Sequence, residues 1–346
     1  MNIILLIMIC LIIISLLPFT RAITSSNNLF LNKKRTDSIK GIAALMVVIS
    51  HIMAANIWIS EKLIGGGDTA RIIGIWGGLG VSLFFVLSGY GCAFSVKKVE
   101  KNPSTALKWF LAHSIRIILY YAGCFSIVIC VSAFASDKLN PAHIIFDFMT
   151  LTIPGTTTWY LKIQLLFYLI IAVSIILDEE KRGILIAILA LTYAVIANII
   201  GLPDYWWKTA MCFPAGFIIA QKSTVFVDLL NRRKAVILLT IFAGVSYLGI
   251  LIDGKYIFPL QIVLWVVLSV SIILLVQKFE FTNQLFACIG KYSLEIYLIH
   301  IGLVNIDVFS SGNFNIAAFL AVTGIATVFA NVLSKTLWSV IKVKCK

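Results

Sequence analysis

The chain has 346 residues, 28 of them Lys or Arg and 15 Asp or Glu, with 60% hydrophobic and 12% charged residues and a mean hydropathy of +1.01. Soluble domains carry about 25% charged residues, so this chain has too few charges to cover a water-facing surface of its size. The composition excludes a soluble enzyme, a disordered chain and a nucleic-acid-binding domain. It leaves an all-α integral membrane protein whose apolar side chains face lipid.

A helix needs about 20 apolar residues to cross the hydrocarbon core. The first such run, 2–20, is read as a retained N-terminal anchor within residues 1–22, because it has neither a basic n-region nor a small-residue cleavage site. Ten further spans are predicted near 39–59, 73–96, 114–135, 159–177, 183–201, 207–221, 234–252, 257–277, 288–309 and 314–340. Together they form one membrane domain over 33–346, a bundle of about ten transmembrane helices plus the extra N-terminal one. The cysteines, six of the seven in apolar runs and none in a CxxC pair, read as packing residues.

The connecting segments alternate in charge. Lys62, Arg71, Lys138, Lys162, Lys208 and Lys255 fall on one side, leaving 22 of the 28 cations on the other. The positive-inside rule then places the 33–40 segment and the C-terminus in the cytoplasm. Tyr205-Trp206-Trp207 suits the opposite interface. Most of the +13 net charge thus records orientation in a multi-pass cell membrane protein, and no nucleic-acid partner is needed to explain it.

Ionisable residues inside spans are costly and mark functional sites by default. The first cluster runs from Arg35-Thr36-Asp37-Ser38-Ile39-Lys40-Gly41 to Ser50-His51. Asp37 or Thr36 is a candidate cap for the incoming helix. Lys40 and His51, eleven residues apart, fall within about 20° of one helical face and about 16 Å apart along it. That places Lys40 at the cytoplasmic border and His51 near mid-bilayer. His51 is either a neutral imidazole bonded to a neighbouring helix or a reactive group.

Gly74, Gly78, Ser82 and Gly89 form a small-residue stripe suited to close helix approach. The glycine-rich run has no Walker-type lysine and does not read as a phosphate loop. His113 and Arg116 open the next span. Arg35, Lys40 and Arg116 together make a cationic rim suited to phosphates. Trp159 and Gln164 enter a span from the outer side. In Lys291-Tyr292-Ser293-Leu294-Glu295-Ile296-Tyr297-Leu298-Ile299-His300, a straight helix from about 288 sets His300 about 18 Å deep, level with His51. Glu295, about 140° round from His300, is not its partner on that helix.

These pieces, in this order, resemble the acyltransferase-3 family of multi-span membrane acyltransferases. Residues 35–43 through His51 resemble its R-x-D-x-[LI]-[RK]-G-[IL]-A signature, and residues 80–90 resemble its G-V-x-[LI]-F-F-x-[LI]-S-G-[FY] run. His113–Ile117 resembles its R-x-x-R-[IL] element, and the stretches 159–168 and 293–300 resemble its later patterns. The chain departs from the family at His113, where an arginine is usual, at Leu119, a usual proline, and at Gln164 and Leu165, usual glutamates.

The resemblance implies transfer of an acyl group, most simply acetyl, from acetyl-CoA or another acyl-CoA to a hydroxyl of a cell-envelope carbohydrate or glycolipid in a bacterial plasma membrane, without a metal. His51 is then the catalytic base, for which an imidazole of ordinary pKa about 6.5 is suited. Arg35, Lys40 and Arg116 hold the donor's phosphates, while Asp37, Ser88, Trp159, Gln164 and His300 contact substrate. The alternative is a carrier or flippase for an envelope precursor or small anion, with the same residues lining a pathway.

Overall fold

A computed structural model describes residues 30–55, 67–135, 140–154, 156, 158–252, 257–304, 306 and 316–344. The predicted anchor over 2–20 lies outside them. The described residues form thirteen α-helices and no strand: α1 Lys33–Ala55, α2 Gly67–Val96, α3 Pro103–Phe134, α4 Pro141–Met149, α5 Trp159–Ser174, α6 Glu179–Ile199, α7 Cys212–Gln221, α8 Ser223–Leu230, α9 Arg233–Ile252, α10 Phe258–Lys278, α11 Gln284–Gly290, α12 Ser293–Leu303 and α13 Ile316–Lys344. Seven are long and apolar enough to cross a membrane, and two bent pairs, α7 with α8 and α11 with α12, raise the number to nine. The shorter apolar α5 occupies the place of the remaining predicted span.

Local chemistry sets the helix starts. Asn32 caps α1, its Oδ1 accepting from the Arg35 amide at 2.9 Å. Asn102 does the same for α3, which has Pro at its first position. The helix therefore starts a turn earlier than predicted, and Asp37 is a residue of its second turn, not its cap. The stretch around Trp109, expected to precede a span at 114, is the first part of the continuous α3.

Two predicted spans are corrected. The 207–221 run yields only the ten-residue α7, after which the chain turns by 87° into α8. The 288–309 run is broken at Lys291-Tyr292, with a 69° bend between α11 and α12. Counted from Ser293, His300 is about 10 Å along its helix, not 18 Å from a start at 288. Of the five described cysteines, Cys92, Cys124 and Cys212 are buried as packing residues, whereas Cys130 and Cys288 are exposed.

The tightest joint is between α1 and α11. A Cβ on Gly41 would lie 2.0 Å from the Phe286 carbonyl oxygen, and one on Gly290 only 1.8 Å from that of Asp37. The same joint carries a reciprocal bond: the Ser38 hydroxyl donates to the Asn283 carbonyl at 3.0 Å and accepts from the Asn283 amide at 3.1 Å. Asn283 also caps α11 through the Phe286 amide. A second reciprocal contact joins α2 to α7, where Gly89 faces the Phe213 carbonyl and Gly216 that of Val86. The stripe predicted for packing thus serves that purpose at Gly89.

Above these joints α2, α5 and α7 share an aromatic core. Phe167 stacks on Phe213 at 4.3 Å and meets Phe85 edge-on at 5.5 Å. Arg182, at the start of α6, is buried and donates to the carbonyls of Ile175, Leu177 and Val96. One guanidinium thereby satisfies carbonyls at the ends of both α2 and α5 that lack intrahelical partners. α9 exposes Leu238, Ile241, Phe242 and Val245 to lipid. α4 buries none of its residues.

Gly290→Ala is expected to destabilise by at least about 1–3 kcal/mol, because a backbone must retreat from the new methyl. Gly91→Ala, with nothing within 4 Å of the added carbon, should be neutral or gain up to about 1 kcal/mol. Thermal unfolding of both variants in detergent checks this. Equal midpoints would refute the close-contact argument.

Candidate active site

His51 lies on α1 and His300 on α12, and their rings meet, with His51 Nδ1 and His300 Nε2 at 2.8 Å. His300 is fully buried, and its Nδ1 lies 2.6 Å from the Ile296 carbonyl oxygen. A carbonyl only accepts, so His300 Nδ1 carries the proton. With both imidazoles neutral, His300 Nε2 is then an acceptor, and His51 Nδ1–H donates to it. The remaining lone pair of the dyad belongs to His51 Nε2. His300 itself borders neither cavity, and the predicted substrate contact is not seen there: it sets the tautomer of His51 from behind.

His51 borders a cavity of about 520 Å³, whose walls include Ser50 and Gly74, Trp159, Tyr205, Lys208, Thr209 and Tyr297. Trp159 packs against Tyr205 at 5.6 Å and Trp206 at 6.5 Å, so an aromatic wall faces the histidine. Lys208 pairs with Asp204 one turn before it and lies 5.6 Å from the Trp265 ring centre. The predicted residues His51 and Trp159 are brought together here.

A second cavity, of about 570 Å³, lies at the other end of α1 and α12. Lys33, Lys40, Arg116, Lys291 and Lys335 line it, against the acids Asp37 and Glu295. Lys40 lies 3.8 Å from Asp37, and Asn331 donates to Glu295. The first-turn residues Ser293, Leu294 and Glu295 of α12 border it, and no side chain at Tyr292 caps that helix. Cations and a helix N-terminus together favour an anionic ligand. His113, on the same wall, stacks on Trp109 at 4.0 Å and bonds its carbonyl. The predicted Lys40, Arg116 and Asp37 are thus brought together.

Arg35 is not with them. Its guanidinium turns to the end of α10, bonding Gln277 Oε1 at 2.5 Å and lying 4.0 Å from Glu280. It is buried there and borders neither cavity. The sequence placed Arg35 in the cationic rim with Lys40 and Arg116; the helix begins already at Lys33, and Arg35 leaves it on the face toward α10. Ser88 lies against the Tyr160 hydroxyl and Gln164 is buried beside Tyr168, and neither borders the two cavities.

Several site residues escaped sequence reasoning. Asn331 and Lys335, one turn apart on α13, were legible as a polar pair in an apolar run. Glu295 was judged only against His300, whereas its partner is 36 positions away. Thr209 and Tyr297 carry no charge and left no signal.

The family model described as an acyltransferase domain, acyltransferase-3, matches residues 34–335. No curated protein and no solved structure matches the chain. The match covers nearly the whole described bundle, both histidines and both cavities, and it supports transfer chemistry where the residues alone also allowed a carrier. The chain belongs to the acyltransferase-3 family and is a membrane acyltransferase.

Proposed function

We propose that the protein moves an acyl group, most simply acetyl, from an acyl-CoA to a hydroxyl of a carbohydrate or glycolipid of the cell envelope. The observation that carries this reading is the His51–His300 dyad at the wall of one cavity, with a cation-lined cavity at the other end of the same two helices. In this reading the cationic end and the C-terminus face the cytoplasm of a bacterial cell, and the aromatic cavity opens outward.

The donor's phosphates bind among Lys40, Arg116, Lys291 and Lys335. Eleven residues of α1 separate Lys40 from His51, about 16 Å, a span comparable with an extended pantetheine arm. The acceptor sugar stacks against Trp159 and Tyr205, whose faces suit the apolar face of a pyranose. His51 Nε2 takes the acceptor hydroxyl's proton as oxygen attacks the thioester carbonyl. The proton then passes to the departing thiolate sulfur, giving an ester and free CoA. His300 is a positioning residue: it holds the His51 ring and presents the unprotonated nitrogen to the substrate.

Labelled acetyl-CoA supplied to membranes carrying the protein is expected to give a labelled envelope product, and His51→Ala to abolish it. General-base loss costs about 10²–10⁴-fold. His300→Leu should approach that loss. His300→Gln, whose amide oxygen can accept from His51 Nδ1–H, should recover part of the rate and shift the pH profile. Equal activity of the two His300 variants would remove the tautomer argument.

Lys40→Gln and Arg116→Gln are expected to raise the donor KM by about tenfold or more each, as charge-assisted bonds are worth about 1.5–3 kcal/mol, with kcat little changed. Arg35→Gln should leave the donor KM alone and lower the thermal midpoint, since it breaks a buried contact with Gln277 and Glu280. Initial rates against donor concentration, beside thermal unfolding, separate the two behaviours.

A further inference from the structure

Two buried hydroxyls in the walls of the His51 cavity have no acceptor for their protons among the described residues: Thr209 Oγ1, and Tyr297 Oη, whose oxygen faces the Tyr160 backbone N–H. Buried polar groups are otherwise satisfied in folded proteins, and an exception needs a reason. Tyr297 is 3% exposed. It is one turn before His300 on α12, and its ring meets the His300 ring edge-on at 6.0 Å. Tyr160 packs against its other side at 5.4 Å, so the phenol is held from two directions without its proton being used. Tyr297, Ile301 and Val304 recur at helical spacing along the face that borders the cavity.

We propose that the Tyr297 hydroxyl is a further catalytic residue, the donor to the oxyanion of the tetrahedral intermediate. The inference rests on the acyl-transfer reading above and deepens it. As the acceptor oxygen bonds to the thioester carbon, the carbonyl π-electrons move onto oxygen, and the acceptor's proton goes to His51 Nε2. The negative charge forms as His51 becomes an imidazolium by taking that proton, while Lys208 in the cavity wall is held by Asp204. Tyr297 O–H is about one turn before His300, is held by the Tyr160 ring and backbone, and keeps its proton free to donate. When the intermediate collapses, the C–S bond breaks, the C=O bond re-forms, and the Tyr297 proton stays on Tyr297. A donor whose proton has no acceptor in the resting protein needs no rearrangement at the moment of reaction, which is the source of its advantage over water.

Thr209, 1% exposed, borders the cavity beside Lys208 and Tyr205, among the residues assigned to the acceptor. Its hydroxyl is therefore assigned to acceptor binding, and the two variants should separate in kinetics. Tyr297→Phe deletes one oxygen and keeps the ring packing. It is expected to lower kcat by about 10²-fold or more, with both KM values within about threefold and an unchanged or slightly raised thermal midpoint. Thr209→Val is expected to raise the acceptor KM with a smaller effect on kcat.

The assay is labelled acetyl-CoA with the full-length protein in membranes, using the labelled product of the wild type as the readout. Wild-type transfer with Tyr297→Phe within threefold of it in kcat overturns the oxyanion assignment and leaves the acyltransferase reading standing. A lowered thermal midpoint in Tyr297→Phe, with activity lost only in proportion to folded protein, shows that the hydroxyl is structural and overturns the assignment as well. Absence of thioester consumption by the wild type overturns both readings together.

Discussion

Everything at the reaction centre depends on two helix backbones touching. Where Gly41 meets Phe286 and Gly290 meets Asp37 there is no room for a side chain on either helix. Contact at that distance fixes relative height and rotation far more sharply than side-chain packing does, because nothing flexible lies between. His51 is ten residues along α1 from Gly41, and His300 ten residues past Gly290. A slip of one residue in either helix moves its ring by about 1.5 Å along the axis and about 100° around it, and the 2.8 Å contact between the imidazoles does not survive that.

The cationic cavity shows how the protein tolerates a cluster of like charges among apolar helices. Asp37 beside Lys40 and Glu295 beside Asn331 place two carboxylates among five cations, leaving an excess that a polyanion can complete. The aromatic cavity is built on the opposite principle. Its one lysine among the described residues is already matched by Asp204, so recognition by those residues falls to ring faces and hydroxyls. In the proposed reaction a charged donor and an uncharged acceptor would take correspondingly separate places.

Much of this was legible in the sequence. Hydropathy alone located every long helix, because a span must be apolar regardless of its neighbours. The R-x-D signature and the later S-L-E-I-Y-L-I-H run marked both histidines. The changes of direction after Gln221 and Gly290 were not legible, since hydropathy measures composition and carries no direction. Arg35 shows a second limit. It was read as part of the rim before the helix, yet it lies within α1 and its guanidinium went to Gln277 and Glu280, partners more than 240 positions away that only tertiary packing brings near. The roles of Thr209 and Tyr297 rest on hydrogen bonds not made, which no motif records.

The small helix α4 buries nothing, yet it is not adrift. It presents Ile145, Phe146 and Met149 outward, an apolar surface of the kind that suits a membrane interface. The hydroxyl of fully buried Tyr121 on α3 reaches the carbonyls of Asp147 and Thr152 and ties this float to the core. From Thr152 the chain runs through Thr156 to Trp159, in the wall of the His51 cavity, passing Thr158 in a left-handed conformation with φ 38°. Tyr121 and the 152–159 segment thus join a lipid-facing helix to the wall of the His51 cavity by one short stretch of chain.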